Sequence, residues 1–368
     1  MSLWLDGVSR SYPPLDRDVT ADVAIVGAGI AGIATGYFLA SSGAKVVVLD
    51  ARGVAEAASG RNAGFLLAGV AENFVAASRR YGERSALRIW RFTERTQVLV
   101  RSLVAEHAID CALRWNGSDQ IAGDDGEWRE IEESARRLSS EGVAVSVDPA
   151  SRSATYADDG ELHPVRWVRG LATAAANKGA EIHESTRVDA ITPGEARTAA
   201  GVVRAGAIVL CVNAYTAHLT TTRVRAVRGQ MLATAPAPPV FARPAYAHRG
   251  YRYWRQTIDG RVLVGGWRDT AADVEVGEDE RTTDAIQGQL EEFLRAQRVA
   301  APVTHRWAGT MGFSHDALPY VGRIGPGAFV CGGFTGHGMA FGPASAELVA
   351  ALVRGDTHPD ADLFDPSR

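Results

Sequence analysis

Lysine is nearly missing from this 368-residue chain: Lys45 and Lys178 are the only two, and every other basic side chain is an arginine. Any chemistry that needs a lysine must use one of them. Cysteine is also scarce. Cys111, Cys211 and Cys331 stand far apart and form no C-x-x-C pair. With no signal-like stretch before them, they point to a reducing, cytoplasmic setting. The nine histidines show no metal-ligand spacing, so no metal site is expected. The longest apolar run, Val23 to Ala40, is broken by four glycines, too often for a membrane-spanning helix. A formal charge of −4 gives no basic footprint for a nucleic-acid partner. No internal repeat is visible.

What remains is ordinary globular material, sufficient for roughly two domains. The elements read as α/β. Val23–Val26 and Lys45–Leu49 are short β-branched runs of the kind found in buried parallel strands, and Ile30–Ser42 between them has helical periodicity and stops before Gly43. Further helices are expected over 76–108, 131–141, 164–178, 283–295 and 343–354, and buried strands near Ile182, over 207–212 and over 328–331. Between Val224 and Trp267 the texture changes to alternating Tyr, Trp, Arg and Val, the pattern of antiparallel strands. Residues 1–20 read as an extended arm that packs Trp4 and Tyr12 on the body.

Gly27-Ala-Gly29-Ile30-Ala31-Gly32 matches G-x-G-x-x-G, follows a strand and opens a helix. Gly27 permits the tight turn, Gly29 lets backbone approach a pyrophosphate, and Gly32 lets helix and strand pack closely. The helix start supplies N–H groups and the positive end of a dipole. Asp50 ends the second strand, where a carboxylate accepts from ribose hydroxyls and repels the 2′-phosphate of NADP. The fingerprint implies a dinucleotide but does not choose between FAD and NAD.

Beyond Asp50 stands Ala57-Ala-Ser59-Gly60-Arg61-Asn62-Ala63-Gly64-Phe65. Later come Leu162-His-Pro164 to Val188, Val209-Leu-Cys-Val-Asn213-Ala-Tyr215, Val227-Arg-Gly-Gln230 and Trp307-Ala-Gly309. The last are Asp316-Ala-Leu-Pro319-Tyr-Val-Gly322 and Gly332-Gly333-Phe-Thr335-Gly336-His337-Gly338-Met339. Together, in this order, they resemble the D-amino acid oxidase superfamily, which includes glycine oxidase, sarcosine oxidase, D-amino acid dehydrogenases and γ-glutamylputrescine oxidase.

The resemblance implies FAD on a Rossmann-type domain and a second, α+β domain built on an antiparallel sheet. It places the cofactor segments at 1–80, 150–222 and 305–368, and the substrate segments at 81–149 and 223–304. The cofactor would be held by Gly27, Gly29, Ile30, Ala31 and Gly32, and by Asp50, Ala51 and Arg52. The run Ser59 to Phe65, then Val188, Asn213, Gly309, Gly333 and Thr335 to Met339 would complete its site. The implied reaction is oxidation of a small amine or amino acid at its C–N bond. A hydride passes to flavin N5 and the imine product hydrolyses, with oxygen as the electron acceptor.

Departures from the family pattern matter equally. Where the glycine oxidase branch has an arginine for the substrate carboxylate, this chain has Met311, and a thioether cannot replace a bidentate guanidinium. Either another arginine (Arg61, Arg252 or Arg255) does this work, or the substrate has no α-carboxylate. The lysine that assists oxygen in the sarcosine oxidase branch is missing. This leaves open a dehydrogenase with another acceptor, or a flavin-bearing protein without turnover that acts as an assembly partner. His337 and Arg61 are candidates for positive charge near the flavin. The family's covalent attachment points fall at Phe65 and about Gly309, so FAD is expected to be noncovalent. Tyr251, Tyr253, Trp254 and Trp267 fall in the segment that walls the substrate in the family. Alternation puts Tyr251 and Tyr253 on one face.

Overall fold

The computed structural model describes residues 1–368. Two eight-stranded sheets organise it. The main path of the first runs Tyr320–Gly325, Ala328–Gly332, Gly201–Leu210, Val19–Val26, Val46–Leu49, Glu181–His183. These strands are parallel apart from the hairpin that joins the first two. Val23 pairs with Val46 and Ile25 with Val48, and every residue of Val46–Leu49 is buried. Burial on both faces is why these strands are continuous β-branched runs instead of alternating ones. The helices Ile30–Ser41, Pro164–Asn177 and Gly338–Arg354 pack together over this sheet in the largest apolar core.

The second sheet runs Val303–Phe313, Arg225–Pro236, Arg261–Gly266, Arg252–Gln256, Ala245–Ala247, Ser118–Ile121, Ser153–Tyr156, Val145–Asp148. It is antiparallel except between Ala245–Ala247 and Ser118–Ile121. Leu232, Val262 and Val264 point outward and bury themselves against Ile286, Leu290 and Leu294 of the helix Asp284–Ala296. The opposite face looks back toward the carboxyl ends of the first sheet's strands. Those ends are where open α/β sheets take their ligands.

Several elements differ from expectation for identifiable reasons. The segment 76–108 is two helices, Phe74–Tyr81 and Glu83–Glu106, broken at Gly82, whose φ is +83°. Asp124 caps the next helix by accepting from Glu127 N–H, so it begins at Asp125 instead of near Ile131. The last helix begins at Gly338 and not near Pro343. Pro343 lies inside it and forgoes one backbone hydrogen bond. The strand Val303–Phe313 was not anticipated. It joins the second sheet across the expected boundary at 305, as Ser153–Tyr156 does just beyond 150. The N-terminal arm contains a turn over Leu3–Leu5 that buries Trp4, whose indole N–H donates to Asn62 O at 2.7 Å.

Candidate active site

A cavity of about 890 Å3 begins at the carboxyl ends of the parallel strands and continues to the inner face of the second sheet. That is near the top of the roughly 300–1,000 Å3 usual for small-molecule sites. At the first-sheet end its wall is largely backbone. Gly27 has φ +107°, and a Cβ on it would lie 2.6 Å from Cys211 O. Gly32 stands behind the wall, where a Cβ would lie 1.8 Å from Gly27 O, so the helix can start here only with glycine. Gly29, Ile30 and Ala31 bring the start of that helix to the cavity, and Ile30 N–H donates to Ser59 Oγ at 3.0 Å. The Asp50 carboxylate accepts from Ala28 N–H at 2.6 Å and Arg52 N–H at 2.7 Å. Burial pushes its pKa above the usual carboxylate value, against the pull of these two donors.

The loop from Ala57 to Phe65 is held on several sides. Asn62 donates to Ala58 O and Ser59 O and accepts from Gly64 N–H. Trp307 Nε1 donates to Arg61 O at 3.0 Å, and Leu162 N–H donates to Gly64 O at 2.8 Å. Gly60 sits behind the cavity wall, its absent Cβ 2.1 Å from Ala55 O. The loop after Ala328–Gly332 is fixed similarly. Asn213 Oδ1 accepts from Gly333 N–H at 2.9 Å and Phe334 N–H at 3.3 Å. Thr335 N–H donates to Gly312 O. The first turn of Gly338–Arg354 thereby opens on the cavity, so two helix N-termini, each a positive dipole end, face the same space.

At the second-sheet end the wall is made of side chains. Tyr251 and Tyr253 both line it, as alternation requires. Trp254 and Trp267 do not. They turn outward onto Phe293, with ring centroids 4.6 and 5.6 Å away. Met311 also lines the cavity and lies against Gly229. The His337 ring stacks on Tyr246 at 6.0 Å. Burial, helped by the charge of Arg268, pushes His337 down to about 4. It is therefore neutral near pH 7, and the positive charge expected from it is not present.

The comparisons with known proteins agree with this geometry. Residues 22–352 match the family described as FAD dependent oxidoreductase. The chain belongs to this FAD-dependent family.

Among its relatives is a γ-glutamylputrescine oxidoreductase from Escherichia coli, 26% identical, with 97% of this chain and 89% of that protein covered. Another is a glycine oxidase from Geobacillus kaustophilus, 27% identical, covering 94% and 97%. The crystal structure of glycine oxidase from the same organism superposes with a TM-score of 0.82 at 22% identity, over 95% of this chain and 99% of that one. The superposition shows the shared fold.

The cavity suits the family's cofactor. Bare backbone at Gly27 and Gly29 meets two helix starts, and the Asp50 carboxylate lies on the same wall. The structure also brings Ala51, Arg52, Arg61, Ala63, Gly64, Phe65, Val188, Asn213, Gly309 and Thr335 to Met339 to this one space, whereas Gly32, Gly60 and Gly333 buttress it from behind. No helix is long and apolar enough to cross a membrane.

Of the arginines expected to grip a carboxylate, none is free. Arg61 lines the cavity but donates to Ala308 O and pairs with Glu280 at 3.1 Å. Arg252 pairs with Asp269 at 2.6 Å, and Arg255, 3% exposed, pairs with Glu161; neither reaches the cavity. Two residues were missed. Glu280 bridges Arg52 and Arg61 at the first-sheet end. Arg268 enters the cavity at its second-sheet end. Its signal in the sequence is Gly265-Gly266. A Cβ at Gly265 would lie 2.2 Å from Tyr253 Cε2 and one at Gly266 2.0 Å from Tyr251 O, a close packing that marks a wall.

Proposed function

We propose that this chain oxidises the C–N bond of a small amine or amino acid, with oxygen as the electron acceptor. One observation carries the reading: a single cavity runs without interruption from the glycine fingerprint to the tyrosine wall of the second sheet. The activities named for its relatives, a glycine oxidase and a γ-glutamylputrescine oxidoreductase, support the same reaction class.

FAD, when bound, supplies the acceptor for the hydride that leaves the carbon next to nitrogen. The chain's own residues do the rest. Gly27, Gly29 and the helix start at Ile30 would receive the pyrophosphate, and Asp50 would accept from the ribose. Ser59 to Phe65 and Asn213 hold the loops that flank the ring system. The last helix start at Gly338 would offer its N–H groups and positive dipole end to negative charge on the cofactor. Tyr251, Tyr253 and Met311 form a mostly apolar wall that orients the substrate and keeps water out. The substrate amine must arrive neutral, because the hydride leaves with the nitrogen lone pair behind it. No side chain needs to act as acid or base. Phe65 and Gly309 offer no nucleophile, so the cofactor is held without a covalent bond.

A second reading, a dehydrogenase with another acceptor, draws on a specific feature: neither Lys45 nor Lys178 lines the cavity, and His337 is neutral. Oxygen uptake with an active amine, read together with peroxide and the carbonyl product, tests the proposal. Matched uptake, peroxide and carbonyl are expected. Carbonyl formation only with an added dye would move the assignment to the dehydrogenase. No carbonyl under either condition would end it.

A further inference from the structure

The guanidinium of Arg268 has no acceptor. It lines the cavity, half-buried, with its carbon 4.5 Å from the Tyr251 ring centre and 4.8 Å from that of Phe313. It forms no ion pair and donates to no oxygen of the chain. The carboxylates that share the cavity are engaged elsewhere: Asp50 by backbone N–H groups, Glu72 by Arg80 and Glu278 by His218. Its placement follows from the backbone. Trp267 has φ +61°, its N–H donates to Tyr251 O at 2.8 Å, and its indole packs outward on Phe293. The left-handed residue breaks the alternation and sends the next side chain inward. Two aromatic faces hold the planar cation in place while leaving its donors free.

An unpaired cation in a confined apolar space is stabilised by an anion that arrives with the ligand. We infer that Arg268 receives a carboxylate of the substrate, which makes the substrate an amino acid or a carboxylate-bearing amine, not a simple amine. The inference rests on the reading of this cavity as the substrate site. The grip comes from the turn after Arg261–Gly266, opposite the strand where Met311 offers none.

The test uses the FAD-loaded protein and two ligands that cannot be oxidised at a C–N bond, benzoate and its neutral analogue benzamide. Each is titrated against the visible flavin spectrum in wild type, Arg268→Met and Arg268→Lys. In wild type, benzoate is expected to bind at least about tenfold more tightly than benzamide. Arg268→Met should abolish the preference. Arg268→Lys keeps the charge but loses the fork and should retain part of it. Equal benzoate binding by wild type and Arg268→Met, or no preference in wild type, would overturn the inference. If Arg268→Met fails to retain flavin, Arg268→Lys decides: a loss of about threefold or more supports the grip, and unchanged affinity contradicts it. Because these ligands report binding without turnover, the two readings fail separately. Flavin that no amine reduces, beside an intact benzoate preference, would sink only the proposed reaction.

Discussion

The two ends of the cavity are built by different means. At the first-sheet end, backbone makes the surface, and side chains such as Asn62, Ser59 and Asn213 serve to hold backbone in place. At the second-sheet end, Tyr251, Tyr253, Met311 and Arg268 make the surface directly. The first construction offers a ligand shape and N–H groups, which tolerate little change. The second is a set of side chains on a stable sheet, which can be replaced without moving backbone; under the proposed function, substrate choice can vary there while the first-sheet end stays the same.

This contrast can be broken or sharpened. The largest effect is expected from Gly32→Val. Its side chain would overlap Gly27 O, so the strand and helix must separate. Loss of bound flavin and of more than about 3 kcal/mol of stability should follow, read by flavin-to-protein ratio and thermal melting. Asn213→Ala comes next. It leaves Gly333 N–H and Phe334 N–H unpaired, at a cost of about 2–3 kcal/mol, with weaker flavin retention. A smaller change is expected for Glu280→Gln. Its partly exposed pairs with Arg52 and Arg61 contribute about 1 kcal/mol or less, so flavin affinity should fall only severalfold in a direct titration.

The smallest concerns pH. His163 caps Pro164–Asn177 by accepting from Arg166 N–H, and burial, with the Arg166 charge, pushes it down from 6.5 to about 4. Its folded value lies below the unfolded one, so its contribution is complete above about pH 6.5 and is lost as pH falls through about 4. Asp159, raised by burial to about 7, acts with the opposite sign and loses its contribution as pH rises toward 7. His163→Asn keeps the cap without titrating. The melting temperature of wild type should drop about 2 °C more than that of the variant between pH 7 and 4.5.

The same contrast explains what could be read from the sequence. Glycine requirements are local. Gly27, Gly29 and Gly32 declare a turn and a close approach wherever they occur between a strand and a helix, and Asp50 follows at a fixed distance. The second-sheet wall depends on neighbours far away in the chain. Arg255 shares the parity of Tyr251 and Tyr253, and alternation alone would aim it at the cavity. Yet it lies farther along the strand, where it donates to Gly64 O and Leu162 O and pairs with Glu161. Arg268 escaped notice because one left-handed residue, Trp267, resets the alternation just before it. Val303–Phe313 carries His305, Arg306 and two glycines, which weaken a strand pattern, and its pairing with Arg225–Pro236 supplies what local propensity does not.

The most direct test of the account mixes the purified, flavin-loaded protein with a panel of amines and amino acids in the absence of oxygen and follows the visible flavin band. Bleaching by at least one carboxylate-bearing amine is predicted, since C–N oxidation must leave the flavin reduced when no acceptor is present. A band that persists with every member of a broad panel would contradict the assignment.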